Sequence, residues 1–317
     1  MPQIQSAIYS IFKDCLKLRR GESILILSDD PLSKLGEQFY EIAKTYCSNA
    51  HLMIIPAIPH HGYEPPKSVA SLMHSSNVII LLTSRSLSHT QARRRASKNG
   101  ARIVSLPGVT KETLMRTLTG DYKGIIFRSR KIADILTIGR NALLTTSAGT
   151  HLTFSLVRMK GYTDTGMVHE PGQFSNLPAG EGCTAPVYGT TQGILVIDGS
   201  FPEIGLIIHP IRMTVKDGYV IRITGGEEAV KVRKLLRRFG RQAKNIAEIG
   251  VGTNSKAKLT GCTLEDEKTL GTVHVALGNN ISFDGKIAVP CHFDGVLRKP
   301  TLVIDGKTIL ENGEIQV

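Results

Sequence analysis

Residues 77–82 read Asn-Val-Ile-Ile-Leu-Leu, five apolar side chains in unbroken succession after one polar residue. A strand of that composition is apolar on both faces, and strands covered on both faces belong mainly to parallel sheets flanked by helices. The same character recurs on either side. Residues 23–27 (Ser-Ile-Leu-Ile-Leu) form a second apolar run, and residues 51–57 and 101–106 are strand-like. Between and after them, residues 35–47, 67–73, 88–98, 110–118 and 126–138 carry helical patterns. This alternation predicts an α/β fold whose N-terminal domain, residues 1–138, is a parallel sheet flanked by helices. No G-x-G-x-x-G follows the first strand, where Ser28-Asp29-Asp30-Pro31 stands, and no P-loop lysine motif occurs. The sheet therefore reads as a scaffold without a nucleotide signature.

Beyond residue 139 the pattern changes. Residues 142–146, 151–157, 193–198, 203–208, 213–224, 273–276 and 287–294 read as strands punctuated by Gly and Pro. A helix starts near Glu227, with acids in its first turn and cations later, as the helix dipole favours. Residues 301–304 and 307–310 form a hairpin across Asp305-Gly306, a type I′ turn pair. Residues 139–317 are thus expected to form a β-rich α+β domain, and the candidate chemistry lies there.

Composition narrows the function classes. At 317 residues and 41% hydrophobic content, the chain can bury one large core or two ordinary ones. It lacks the roughly 18-residue apolar run of a membrane span and a signal-peptide pattern, so a cytoplasmic protein without a membrane partner is expected. Its five cysteines never form CxxC, which suits reduced thiols rather than a disulfide framework. Cys291 is expected to be a structural cysteine facing away from its neighbour His292. The formal net charge of +12 raises nucleic acid as a partner. Much of it comes from Arg93, Arg94 and Arg95 and from seven cations within residues 231–244. Val232, Leu235, Leu236 and Phe239 give the second segment one apolar stripe, so its cations read as the solvated back of a packed helix. Aromatic residues make up only 5%, with no Trp, which also argues against base stacking.

The sharpest local feature is His292-Phe293-Asp294. Residues two apart on a strand share a face, so an imidazole and a carboxylate converge, as a metal site requires. A hydrogen-bonded His–Asp pair has the same spacing. His274 lies in a second strand-like segment between Gly271 and Gly278. Glu181 stands in a Pro/Gly-braced loop, Asn-Leu-Pro-Ala-Gly-Glu-Gly-Cys-Thr-Ala-Pro over residues 176–186. Glu248, in Ala-Glu-Ile-Gly-Val-Gly-Thr-Asn over residues 247–254, sits at an apolar strand end, where a charge needs a partner. His60-His61 sits among four prolines and reads as a surface turn, and Asp266 and Glu267 read either as solvated acids at a helix start or as hydrogen-bond partners of a metal histidine.

Taken in order, NLPAGE with TAP, EIGVGTN, DEKTLGTVHVALG and the H-x-D pair make the chain resemble the metalloaminopeptidase family of aminopeptidase T and aminopeptidase S. The resemblance implies two divalent ions, zinc, cobalt or manganese, held by Glu181, Glu248, His274, His292 and Asp294. It implies an aminopeptidase-type hydrolase of small-molecule or peptide substrates, with Glu181 or Glu248 also acting as general base on a metal-activated water, and a homodimer. Two features depart from the pattern. The family's tyrosine seven residues after its first metal histidine is Ile281 here, and Gly180 replaces an acid before Glu181. A similar branch comprises ring-opening dioxygenases of dihydroxypyridine. For it the alternative site is His274, His292 and Asp294 around one iron(II), a two-histidine, one-carboxylate set with open positions.

Overall fold

The computed structural model describes residues 3–118 and 121–317. The chain separates into two compact units, Met1–Gly120 with Asp164–Ala179, and Asp121–Thr163 with Gly180–Val317.

The first unit is built on the expected parallel sheet, in the order Asn49–Ile55, Ser23–Asp29, Val78–Leu82, Arg102–Ser105, Phe174–Asn176. Every pairing in it is parallel. All five residues of Val78–Leu82 are buried, as an apolar run with no alternation requires. Helices Ser33–Tyr46, Lys67–Ser75 and Gln91–Lys98 connect these strands and flank the sheet. Leu25, Leu27, Ile79, Leu81 and Ile103 join Val69, Met73, Ala92 and Ala96 in one apolar core.

The second unit contains an eight-stranded antiparallel sheet running from Tyr219–Thr224 at one edge to Glu314–Ile315 at the other. Residues 213–224 are a hairpin, Ile211–Lys216 with Tyr219–Thr224, because Asp217 and Gly218 both adopt positive φ. Asp305 and Gly306 make the expected turn in the same way. Helix Glu227–Arg237 buries Ala229, Val232, Leu235 and Leu236 and leaves its basic back outside the core. Among the described residues no helix is long and apolar enough to cross a membrane.

Four further strands of the second unit position the candidate site: Glu181–Thr184, Ile246–Gly252, Val273–Gly278 and His292–Leu297. They are consecutive antiparallel neighbours within a five-stranded sheet. Two expectations are corrected here. Glu181 opens a buried strand rather than sitting in a loop; the turn comes just before it, at Gly180 (φ 132°). A side chain at Gly180 would strike Asn254, its Cβ falling 2.7 Å from that of Asn254. The strand expected over 287–294 begins only at His292, since the Asn280 side chain, not a neighbouring strand, accepts the Ile287 N–H at 2.8 Å.

Candidate metal centre

From Glu248 onward the side chains of these four strands alternate between two faces. Ile249, Val251, Val273, Val275, Leu277, Phe293 and Leu297 point into the large apolar core of the second unit. The other face is polar. Across the ladder Gly252 stands opposite Glu181, and Gly250 lies between Cys183 and His274. Ala276 lies between Glu248 and Asp294, and Gly278 faces His292. Residues opposite one another share a face, so all five expected ligands lie on it, interleaved with Gly and Ala. A register shift between Ile246 and Glu248 marks a bulge beside the Glu248 carboxylate, a device that re-aims side chains next to functional sites. The small residues are required sterically. A methyl group on Gly250 would fall 2.2 Å from His274 Nε2.

Their atoms form two groups with ligand-like spacing that share Glu248: Glu181, Glu248 and His274, and Glu248, His292 and Asp294. His274 Nε2 lies 3.3 Å from Glu181 Oε2 and 3.6 Å from Glu248 Oε1. His292 Nε2 lies 3.0 Å from Glu248 Oε2 and 3.2 Å from Asp294 Oδ1. The trio His274, His292 and Asp294 is not itself one of the two compact groups; Glu248 stands where His274 would complete the second. His274 is almost fully enclosed, whereas the Asp294 side chain keeps 15% of its surface, so the cluster opens at its Asp294 end.

The donor set fits a cation. His292 Nδ1 donates to the Asn279 carbonyl at 2.7 Å, which fixes the tautomer. The Nε2 lone pair of the neutral ring is then aimed at two carboxylate oxygens, an arrangement that only a proton or a metal ion between them makes favourable. In the protein without an ion, a proton takes that place. Burial works against the charged form of His292, but Asp294 and Glu248 outweigh it and hold its pKa well above the ordinary imidazole value. Burial likewise opposes charge on His274, and hydrogen bonding to Glu248 with the charges of Glu181, Glu248 and Asp294 raises it to about 9. The imidazoles in return overcome burial at Glu248 and Asp294 and keep both carboxyls below their usual range. A divalent ion would displace those protons.

Three residues beyond the expected five belong to the cluster. Cys183, fully buried and hydrogen-bonded to Glu248, has its thiol pushed well up by burial and by the Glu248 and Glu181 charges. Lys268, 1% exposed, places Nζ 2.6 Å from Glu181 Oε1 and 2.9 Å from Glu267 Oε1. Burial raises the Glu267 carboxyl against the opposing pull of Lys268. Neither acid of the Asp266-Glu267 pair is at a solvated helix start, since both are buried. Asp266 accepts from the Thr260 and Gly261 N–H groups at 2.6 and 2.9 Å. Cys183 was legible only through its alternation with Glu181, and Lys268 only as a lysine beside two acids. Cys291 lies outside the strand and is partly buried, its thiol raised to about 12 by that burial. Ile281 sits on a short 3-10 turn, 39% exposed.

The family model described as NicX, 2,5-dihydroxypyridine 5,6-dioxygenase, matches residues 10–317. Among curated proteins, the 2,5-dihydroxypyridine 5,6-dioxygenase of Pseudomonas putida is 26% identical over 352 aligned positions, covering 99% of this chain and 97% of that protein. Among solved structures, the 2,5-dihydroxypyridine dioxygenase from Pseudomonas putida superposes with a TM-score of 0.84 at 20% identity, over 98% of this chain and 96% of that one. Wild-type AmpT from Thermus thermophilus superposes with a TM-score of 0.69 at 13% identity, over 99% of each chain. At these identities the two structural likenesses show a common fold. The family match overturns the expected aminopeptidase-type hydrolase, because the matching family is one of dioxygenases. The retained set of two glutamates, two histidines and an aspartate had favoured hydrolysis, but those ligand types suit either chemistry. The departure at Ile281 was the more informative sign.

Proposed function

Since the chain belongs to the NicX family of 2,5-dihydroxypyridine 5,6-dioxygenases, we propose that it is an iron(II)-dependent dioxygenase that opens the ring of 2,5-dihydroxypyridine or a similar hydroxylated pyridine. The observation that carries this reading is the pair of imidazoles aimed, with Asp294 and Glu248, at one buried polar sheet face. His274, His292 and Asp294 would hold the ion, with Glu248 within reach of both rings. Two imidazoles and one carboxylate leave iron(II) with free positions for dioxygen and substrate, which is the chemistry the ion supplies when bound.

The chain's own residues have separable tasks. The Asn279 carbonyl orients His292 through Nδ1–H, so that Nε2 is the ligating nitrogen. Glu248 is held as a carboxylate between the two rings. Enclosure of His274 and Glu248 excludes water from the inner end, whereas the partly open His292 and Asp294 leave the outer end for a flat substrate. Phe283, with its ring centroid 6.1 Å from that of His292, offers an aromatic surface beside it.

The test is oxygen consumption by protein loaded with iron(II) under nitrogen and then given 2,5-dihydroxypyridine in air-saturated buffer. The expected result is one dioxygen consumed per ring lost, with both atoms of labelled dioxygen found in the acyclic product. Ring loss without label incorporation, or no oxygen uptake with the iron retained, would defeat the proposal.

A further inference from the structure

Between strands Val273–Gly278 and His292–Leu297 the chain folds residues 279–291 into a loop closed on itself. Two asparagines hold its base. The Asn279 side chain donates to the Val289 carbonyl and accepts the Ile281 N–H, both at 3.0 Å. The Asn280 carbonyl accepts the Phe283 and Gly285 N–H groups at 3.0 and 2.9 Å, and its N–H donates to the Ile287 carbonyl at 3.1 Å. The tip carries Phe283, half-buried, and turns back at Asp284, which adopts a left-handed backbone (φ 57°).

The tip is clasped from across the sheet. Tyr162 opens the strand at one edge of the five-stranded sheet, and His292 opens the strand at the other. The Tyr162 hydroxyl donates to Asp284 Oδ2, and its ring packs edge-on against Phe283, with centroids 5.6 Å apart and planes at 73°. Burial and the Asp284 carboxylate push the Tyr162 phenol up, so it keeps its proton and remains the donor. Tyr162 is itself held firmly. The Gly161 N–H donates to Thr137 Oγ1 at 2.9 Å, and a Cβ on Gly161 would fall 1.9 Å from the Ala133 carbonyl oxygen. The segment is thus pressed against helix Tyr122–Ile138. On its other side Phe283 faces His292, with the two rings tilted by 36°.

Aromatic rings attract one another in offset or edge-on arrangements at such separations. A ring already locked in place loses little freedom when a second ring settles on it, so more of that attraction is kept as affinity. We propose that Phe283 is the specificity-determining wall on which a flat hydroxylated heteroaromatic ring stacks, and that Tyr162 positions this wall through Asp284. The inference rests on the proposed function and deepens it, since it names what distinguishes a ring substrate from any other chelating anion.

The experiment titrates iron(II)-loaded full-length protein under nitrogen with 2,5-dihydroxypyridine and, separately, with acetohydroxamate, a chelating anion that has no ring. Phe283→Leu is expected to weaken 2,5-dihydroxypyridine binding about 3- to 10-fold, the range of one lost aromatic contact, and to change acetohydroxamate binding by less than about 1.5-fold. Phe283→Tyr, which keeps the ring, is expected to bind both as the wild type does. Tyr162→Phe should weaken 2,5-dihydroxypyridine binding about 2- to 3-fold. The double variant Tyr162→Phe with Phe283→Leu should bind no more weakly than Phe283→Leu alone, because a positioning residue acts only through the ring it positions. In air the weakened variants should raise KM for ring loss and leave kcat nearly unchanged. Unchanged 2,5-dihydroxypyridine binding in Phe283→Leu, equal weakening of both ligands, or additive losses in the double variant would each overturn the inference. A wild type that binds and opens the ring while Phe283→Leu does so equally well leaves the proposed function standing. A wild type that binds acetohydroxamate but not 2,5-dihydroxypyridine overturns that function and this inference together.

Discussion

The two ends of one sheet face solve the same electrostatic problem differently. At the Glu181 end the protein supplies its own cation, Lys268, and closes around it. At the Asp294 end it sets a fixed imidazole against two carboxylates, leaves part of Asp294 open, and on the proposed reading takes a cation from outside. The first is a structural ion pair, and such pairs stabilise only while both partners remain. The second has the donor spacing of an incomplete coordination shell. Proximity to acids does not separate the two cases; the separation comes from whether the fold has already provided the positive charge.

The largest effect that would sharpen this contrast is at the open end. His292→Ala and Asp294→Asn are each expected to weaken metal binding by more than about 100-fold, since even partners outside the coordination shell typically contribute 10- to 100-fold. Calorimetric titration of each variant would show it, and retention of wild-type affinity in either one would merge the two ends into one class.

Next comes pH. In metal-free protein His274 has its pKa raised to about 9, above the roughly 6.5 of an unfolded histidine. Its protonated form therefore stabilises the fold fully below about 6.5, and that contribution disappears as pH rises through about 9. His292 shifts in the same direction. Urea unfolding of metal-free protein is expected to lose a few kcal/mol across this window. Metal-loaded protein should lose much less, because the ion replaces the protons. Parallel losses in both forms would show that the ion does not sit among these imidazoles.

Gly250→Ala should cost about 1–3 kcal/mol, because its methyl group would displace the His274 ring. Thermal melting would register that loss together with weakened metal binding, and an unchanged melt would mean that the face tolerates more bulk than its spacing shows. A comparable loss of stability, but no loss of metal and so the smallest effect on the site, is expected from Asp266→Ala, which frees the Thr260 and Gly261 N–H groups. A loss of about 1–3 kcal/mol in stability with one ion still bound would place Asp266 in the frame that carries Lys268.

Much of the fold was readable because its signals are local. The unbroken apolar run at Val78–Leu82 and the Asp305-Gly306 turn each dictate their own structure. The His292 and Asp294 pair was readable for the same reason, being two apart on one strand. What escaped is non-local. The opposition of Gly250 to His274 and Cys183 arises from pairing between strands distant in the chain, and no spacing in the sequence displays it. Glu181 looked like a loop residue because the glycines and prolines around it, Pro178, Gly180, Gly182 and Pro186, dominate the pattern, although a strand starts at Glu181. Lys268 was hidden because a lysine beside two acids resembles an exposed helix start, and only burial reveals it as a counter-charge.

Anomalous diffraction from crystals of the iron-loaded protein, collected at the iron edge, distinguishes the two ends directly. A single peak is expected, within bonding distance of His274, His292 and Asp294, with the Lys268 ammonium still on Glu181. A peak bound by Glu181, whether alone or as the second of two, would contradict a face that carries one external ion and one built-in cation.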